Sequence, residues 1–374
     1  MAGGLVHLIE VARRWEHFDL TVFGPSNARA VFEKALPAAR FVALPSCGLI
    51  RSRAVVFLLR AALAPFALLK LRTCDVLLAQ SHFLPDVVPA VVFGGSNAAV
   101  EIWHVQEPPW HRPGSLLNNV LAFANERIGL FLVWLFLRTV IAGSRLVVQK
   151  TALLARKAVF VTTNGADHIV LPLSEHRGAR AGALYVGRLH PTKGISDLIS
   201  AWKIVVQKCG PQTLVIAGDG ESAYVADLKR QIASLGLTEC IQMAGPVCEQ
   251  EKRALLVSVR AFAFPSYEEG WGIALAEAMA AGTPCVTYGL EIYEEVFPKG
   301  RLHAPLGDAN AFAIQLVNLL SDDALNRKIS REAMELGRSF RWRNAAEIEA
   351  SALRSLPAAS RTDIPSFPKN AVEE

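Results

Sequence analysis

From Ser266 to Val286 the chain reads SYEEGWGIALAEAMAAGTPCV. An apolar run, AFAFPS (261–266), leads into it, and a second, TPCVTYG (283–289), leaves it. Between them lie a glycine turn at Gly270 and Gly272 and a segment of small residues with the composition of a helix. Strand, turn, helix and strand in that order is the repeating unit of a parallel sheet. Two carboxylates, Glu269 and Glu277, stand eight residues apart in it, one before the glycine turn and one inside the helix. In open parallel sheets ligands bind outside the carboxyl ends of the strands, which is where this pair falls.

Outward from that unit the same rhythm continues in both directions. Upstream in the second half, ALYVGR (183–188), TLVIAGDG (213–220) and IQMAGP (241–246) read as strands separated by helical patterns. The first half carries DLTVFG (19–24), CDVLLAQ (74–80), AAVEIWH (98–104), TVIAGS (139–144) and AVFVTTNG (158–165). Its helical patterns include GGLVHLIEVARRW, opened by Gly3 and Gly4, and NVLAFANERIGLFLVWLFLR. No strand precedes Gly3, so either the sequence starts late or the first sheet lacks one element. Proline, glycine and charge in LPLSEHRGARAG (171–182) mark a linker. The chain of 374 residues therefore divides into domains at 1–172 and 183–340, with a final helix at 341–356 and a loose tail at 357–374.

Composition narrows the function classes. The six cysteines (47, 74, 209, 240, 248 and 285) show no C-x-x-C pair and no zinc spacing with histidine, as expected of reduced, buried thiols in a cytoplasmic protein without a metal site. Residues 1–170 hold 17 Lys and Arg against 10 Asp and Glu, while the remainder holds 22 against 24. A basic first half suits an anionic surface, either a lipid headgroup layer at the inner membrane face or simply solvent. Basic runs interleaved with aromatics are absent, which argues against nucleic acid. Two apolar stretches, 54–70 and 128–137, fall short of the roughly 20 residues a membrane span needs. Each is expected to be a core helix or one lying in the membrane interface.

The segment VGRLHPTKG (186–194) follows strand 183–186 and places Arg188 and Lys193 on a loop entering a helix. Two cations beside a helix amino end suit a diphosphate, and Arg can engage two oxygens at once. A pair of surface cations is the plainer reading. The Glu277 carboxylate can accept from two vicinal hydroxyls, such as those of a ribose. The amides of Trp271 and Gly272 can approach a sugar without side-chain obstruction. A capped helix with an incidental acid at each end is the alternative. No D-x-D pair is present to hold a metal against a diphosphate.

These residues resemble a known family. EGWGIALAE, with acids at 269 and 277, is similar to the E-x7-E motif of retaining GT-B glycosyltransferases, specifically glycosyltransferase family 4. ALYVGRLHPTKGISDLISAW, LVIAGDGE, EAMAAGTPCV and PLGDANAFAIQLVNLL resemble further family segments, and GGLVHLIEVARRW resembles its glycine-rich turn. The resemblance covers nearly the whole chain and is strongest over 183–320. It implies an α/β fold of GT-B architecture: two Rossmann-like, doubly wound domains facing a cleft, the acceptor held by the first and a GDP- or UDP-sugar by the second.

By position, Arg188 and Lys193 would grip the diphosphate, Glu277 the ribose, and Glu269 the donor-sugar hydroxyls, beside Gly270, Trp271 and Gly272. Backbone at Ala244–Val247, including Gly245 and Val247, would hold the base, and Gly3 and Gly4 would approach the phosphates from the other side. His104, ending strand 98–104, matches the family's cleft histidine, while His82 and His111 read as structural. The implied reaction is retaining, metal-independent hexosyl transfer to a lipid-linked or polysaccharide hydroxyl, with no cofactor besides the donor. The rival from another class is a non-catalytic nucleotide-binding or membrane-docked partner protein. A dinucleotide-dependent dehydrogenase is excluded, because no G-x-G-x-x-G follows a strand.

Overall fold

The computed structural model describes residues 3–44, 59–60, 62–63, 74–113, 115–151, 154, 156–169 and 180–357. Most of the expected stretch 54–70, most of the linker 171–182 and nearly all of the tail 357–374 lie outside the described residues. The first half carries β1 (Thr21–Pro25), β2 (Arg40–Leu44), β3 (Leu77–Ala79), β4 (Ala98–Ile102), β5 (Thr139–Ala142) and β6 (Ala158–Val161). The second carries β7 (Ala183–Val186), β8 (Leu214–Ala217), β9 (Ile241–Gly245), β10 (Ala261–Phe264), β11 (Cys285–Tyr288) and β12 (Arg301–Ala304).

All pairings are parallel. The second-half sheet has the order β12-β11-β10-β7-β8-β9. From β7 the chain winds outward through β8 and β9, then returns to start β10 on the other side of β7. That reversal opens a crevice between β7 and β10 at their carboxyl ends. Central strands are covered on both faces, so β7, β10 and β11 are continuous apolar or small-residue runs. The long helices Ile195–Cys209 and Ala309–Ser321 pack against each other, and Trp202 and Phe312 are fully buried.

The first half departs from the expected single sheet. Its strands form two sheets, β1-β2 and β3-β4-β5-β6, and no described strand joins them. The first described element is the helix Gly3–Ala12, so among the described residues no strand precedes Gly3. Two strands escaped the sequence reading. β2 is a short strand in an isolated two-stranded sheet. β12 is an edge strand whose Arg301 is buried, donating to Phe297 O at 2.8 Å and to Thr287 Oγ1 at 3.2 Å. A swallowed arginine leaves no apolar signature in the sequence.

The helix Trp342–Arg354 packs back onto the first half. Its Ala352 and Leu353 cluster with Ala99 and Ile141, and its Trp342, Ala345 and Ala346 with Val11 of the first helix. Below that contact His7 lies 2.7 Å from Glu349 and 2.9 Å from Asn164 Oδ1, all three buried. The expectation of uniformly buried thiols fails: Cys74 and Cys248 are exposed, and only Cys285 of the described cysteines is buried. The helical pattern around 128–137 belongs to a 21-residue helix, Leu116–Phe136, one face of which stays in solvent.

Candidate active site

The crevice between the two halves is a cleft of about 470 Å³. Its second-half wall is formed by the turns after β10 and β11, at Tyr267–Gly270 and Gly289–Ile292. After β7 the chain turns through Pro191–Lys193 into the helix Ile195–Cys209, with Gly194 at φ 65° as the amino cap. A Cβ on Gly194 would lie 2.0 Å from Pro265 O, so only glycine lets this loop sit against the end of β10. The contact brings Lys193 to the acidic motif. Its ammonium lies 2.5 Å from Glu269 Oε1 and donates to Glu268 O at 3.2 Å, while Ser266 Oγ donates to Glu269 Oε1 at 2.9 Å. Arg188 is exposed and makes no ion pair among the described residues.

Gly272, at φ 109°, caps the helix Ile273–Ala280 that carries Glu277. Glu277 is buried, and its Oε1 lies 2.7 Å from Lys252 Nζ and 3.0 Å from His168 Nε2. Lys252 Nζ also lies 2.9 Å from Glu249 Oε2. Burial works against ionisation of Glu277, but the His168 contact and the Lys252 charge overcome it and hold its carboxyl below the usual range. His168, Glu249 and Glu277 form a ligand-like grouping in which the Lys252 ammonium already supplies the positive charge.

From the first half, His104 follows β4 and stands over the motif, its Nε2 3.8 Å from Glu268 Oε2 and without a hydrogen-bond partner. Arg112 engages the same carboxylate as a fork, Nε to Oε2 at 2.7 Å and Nη2 to Oε1 at 2.7 Å. Burial again opposes the charge, and His104 and the Arg112 fork hold the Glu268 carboxyl far below its ordinary range. Gly270 lets the halves close: a Cβ there would be 3.0 Å from Trp103 O. Gly3 abuts the start of the Glu277 helix, where its Cβ would meet Ile273 Cδ1 at 3.7 Å, and Gly4 faces open space. Farther along, Lys150 bridges Glu107 and Glu291, each at 2.9 Å.

The sequence-predicted residues thus converge, with distinctions. Lys193 and Glu269 form a pair, with Gly270 following Glu269 and His104 near Glu268, while Gly272 and Gly3 lie at the start of the Glu277 helix. Glu277 sits one helix turn deeper with its own partners. Gly245 ends β9 at φ 70°, with open space where a Cβ would point, and Val247 follows it on the turn before the helix Glu249–Ser258. The Trp271 indole is buried, its ring centroid 5.3 Å from that of Phe297 and 5.0 Å from that of Phe340, and the sequence reading assigned a role to its backbone amide alone. His82 is structural, 3.1 Å from buried Glu126, but His111 lines the cleft wall. Sequence reading missed Arg112, Glu268, Lys252 and His168. Only Glu268, abutting Glu269, carried a local signal.

Residues 174–336 match the family model described as glycosyl transferases group 1. Curated relatives that this half resembles include the phosphatidyl-myo-inositol mannosyltransferase of Mycobacterium leprae, 34% identical over 42% of each chain. The O-antigen chain mannosyltransferase B of Escherichia coli is 26% identical over 46% of each. A glycogen synthase of Mycobacterium tuberculosis is 30% identical over 56% of this chain and 51% of that one. The chain thus spans about half the length of the curated relatives it matches. Anabaena Alr3699/HepE in complex with UDP and glucose superposes with a TM-score of 0.76, covering 95% of this chain and 96% of that one at 19% identity. WaaG, described as a glycosyltransferase involved in lipopolysaccharide biosynthesis, gives 0.72, covering 95% and 97% at 13% identity. The fold is therefore that of the GT-B glycosyltransferases.

Proposed function

We propose that this protein transfers a hexosyl group from a nucleoside diphosphate sugar to a hydroxyl of a lipid-linked or polysaccharide acceptor, with retention at the anomeric carbon and without a metal. The observation that carries this reading is the meeting of Lys193 with Glu269 at the strand reversal, Nζ lying 2.5 Å from Oε1, on the loop that also carries the exposed Arg188. Opposite charges there match the two ends of such a donor. The Ile195–Cys209 helix amino end and two cations receive the diphosphate. The carboxylates receive sugar and ribose hydroxyls. Names of the relatives, two of them mannosyltransferases and one a glycogen synthase, support a hexosyl donor.

In the reaction the bond from the anomeric carbon to the diphosphate oxygen breaks and its electron pair leaves with the diphosphate. Arg188 and Lys193 stabilise the charge that develops there. The acceptor oxygen bonds to the same face of an oxocarbenium-like carbon, and its proton passes to the departing phosphate oxygen. Glu269, held by Lys193 and Ser266, orients the sugar. His104 lines the same space and positions a hydroxyl of the donor sugar.

A donor screen tests this. Thermal shift and nucleotide release are measured across GDP- and UDP-sugars for the wild type and for Glu277→Ala. The expected result is stabilisation by one nucleotide, lost in the variant, with slow release of nucleotide in the absence of acceptor. No shift with any donor would overturn the reading. A shift with no turnover, with or without saccharide acceptors, would leave a nucleotide-binding protein instead.

A further inference from the structure

The helix Leu116–Phe136 buries the polar Asn119 and Glu126 beside Leu130 and Val133 and leaves most of its large apolar side chains exposed. A helix on a protein surface normally buries its apolar stripe and exposes its polar one. Here Asn119 and Glu126 point inward and are satisfied there. Asn119 Nδ2 donates to Arg112 O at 3.0 Å, and Glu126 Oε1 accepts from the Gln106 backbone N–H at 2.9 Å. The outward stripe, spaced at three and four residues apart from one step of seven between Leu121 and Ile128, runs Leu117, Leu121, Ile128, Phe131 and Leu135, each at least 44% exposed. Trp134, at 40%, flanks it. The stripe extends along a helix about 30 Å long and is larger than the scattered apolar residues a soluble surface carries.

Charge identifies the occupant. Between Pro108 and Ala166 the chain has seven Lys and Arg and one acid, and that acid is Glu126, fully buried. Three of those cations border the stripe. Arg127 lies over the Phe123 ring at 4.4 Å, and Lys157 donates to Trp134 O at 2.6 Å beside exposed Arg138. Burial and the neighbouring Arg138 lower the Lys157 pKa, a repulsion that an anionic surface would relieve. Large apolar side chains flanked by cations, with no exposed acid, match the headgroup and acyl boundary of an anionic bilayer.

We propose that the outward face of Leu116–Phe136 docks this protein on an anionic lipid bilayer, the helix lying in the interface plane. Its inward face stays on the β3-β6 sheet, so the helix does not leave the fold. The amino end of the helix follows the Pro109–Pro113 segment, whose His111 and Arg112 line the cleft. If the transferase reading holds, a lipid-borne acceptor would therefore enter the cleft at that end. The docking itself rests on no step of sugar transfer.

Cosedimentation of the full chain with vesicles of phosphatidylcholine, with and without phosphatidylglycerol, tests the proposal. The wild type is expected to pellet with the anionic vesicles at low salt, and its tryptophan emission to be quenched by lipids brominated on the acyl chains. Ile128→Glu with Phe131→Glu should weaken binding at least about tenfold, the scale of burying two large apolar side chains, with an unchanged circular dichroism spectrum and melting temperature. Arg138→Glu with Lys157→Glu should abolish the preference for phosphatidylglycerol. A wild type that stays in the supernatant at low salt overturns the proposal, as does a doubly acidic variant that binds like wild type. A dimer in solution that Ile128→Glu with Phe131→Glu dissolves would assign the face to a second copy of the chain. A protein that pellets yet releases no nucleotide would sink the transferase reading alone.

Discussion

Replacing Lys252 by methionine removes the ammonium that neutralises Glu277 while keeping most of the side-chain volume. The two groups are 2.7 Å apart, with side chains only 11% and 5% exposed, so solvent cannot take over the role. Truncating one partner of a buried pair costs roughly 3–5 kcal/mol, because the other charge stays buried and unpaired. His168 remains at 3.0 Å from the same oxygen and returns part of this, leaving an expected loss of about 2–3 kcal/mol. In a unit the size of the second half that lowers the melting temperature by roughly 5–10 °C. Urea unfolding at pH 7 of wild type, Lys252→Met, Glu277→Gln and the double variant measures it. The double variant should be markedly more stable than the sum of the singles predicts. The pH dependence carries a sign. The wild-type Glu277 carboxyl is depressed below its unfolded value, so its contribution is present above the unfolded pKa and is lost as pH falls through the folded one. In Lys252→Met the carboxyl can escape its burial by taking a proton, so the gap between wild type and variant should narrow as pH falls. A loss under about 0.5 kcal/mol, or additive singles, would refute the pairing argument.

Arg112→Ala removes a two-pronged charge-assisted contact between the halves at Glu268. The expected result is a drop in kcat/KM of roughly 10- to 100-fold, with a larger radius of gyration in small-angle scattering. An unchanged radius would mean that other contacts alone close the cleft. Gly194→Ala places a Cβ against Pro265 O at φ 65°, and denaturant titration should show a loss of at least about 1–2 kcal/mol. The buried His7 cluster predicts alkaline sensitivity. Burial alone would lower the His7 pKa, but Glu349 and Glu101 raise it to about 9, while burial and Glu349 push Glu101 up to about 8. Both folded values exceed the unfolded ones, so the stability from His7 and from protonated Glu101 is lost as pH rises. The urea midpoint should fall between pH 7 and about pH 9.5, and Glu101→Gln should flatten part of that slope.

Much of this protein could be read along the chain. The alternation of apolar runs and helical patterns is local, because a strand covered on both faces must be apolar and a helix must repeat at its own period. The same holds for the Arg188 and Lys193 loop and for Glu269, Gly272 and Glu277, whose spacing within one strand-turn-helix unit sets which end of the sheet they occupy. Tertiary structure decided what those residues touch. Lys252 reaches Glu277 across 25 positions, Arg112 reaches Glu268 across 156, and His7 reaches Glu349 across 342. No local pattern encodes such pairs, since each is made by two segments that meet only when the sheets and the returning helix are in place. The split of the first-half strands into two sheets, the buried arginine of β12 and the outward apolar stripe of Leu116–Phe136 have the same origin. An apolar helix has one sequence whether its face is buried or bare, and only the packing around Glu126 shows which side is turned out.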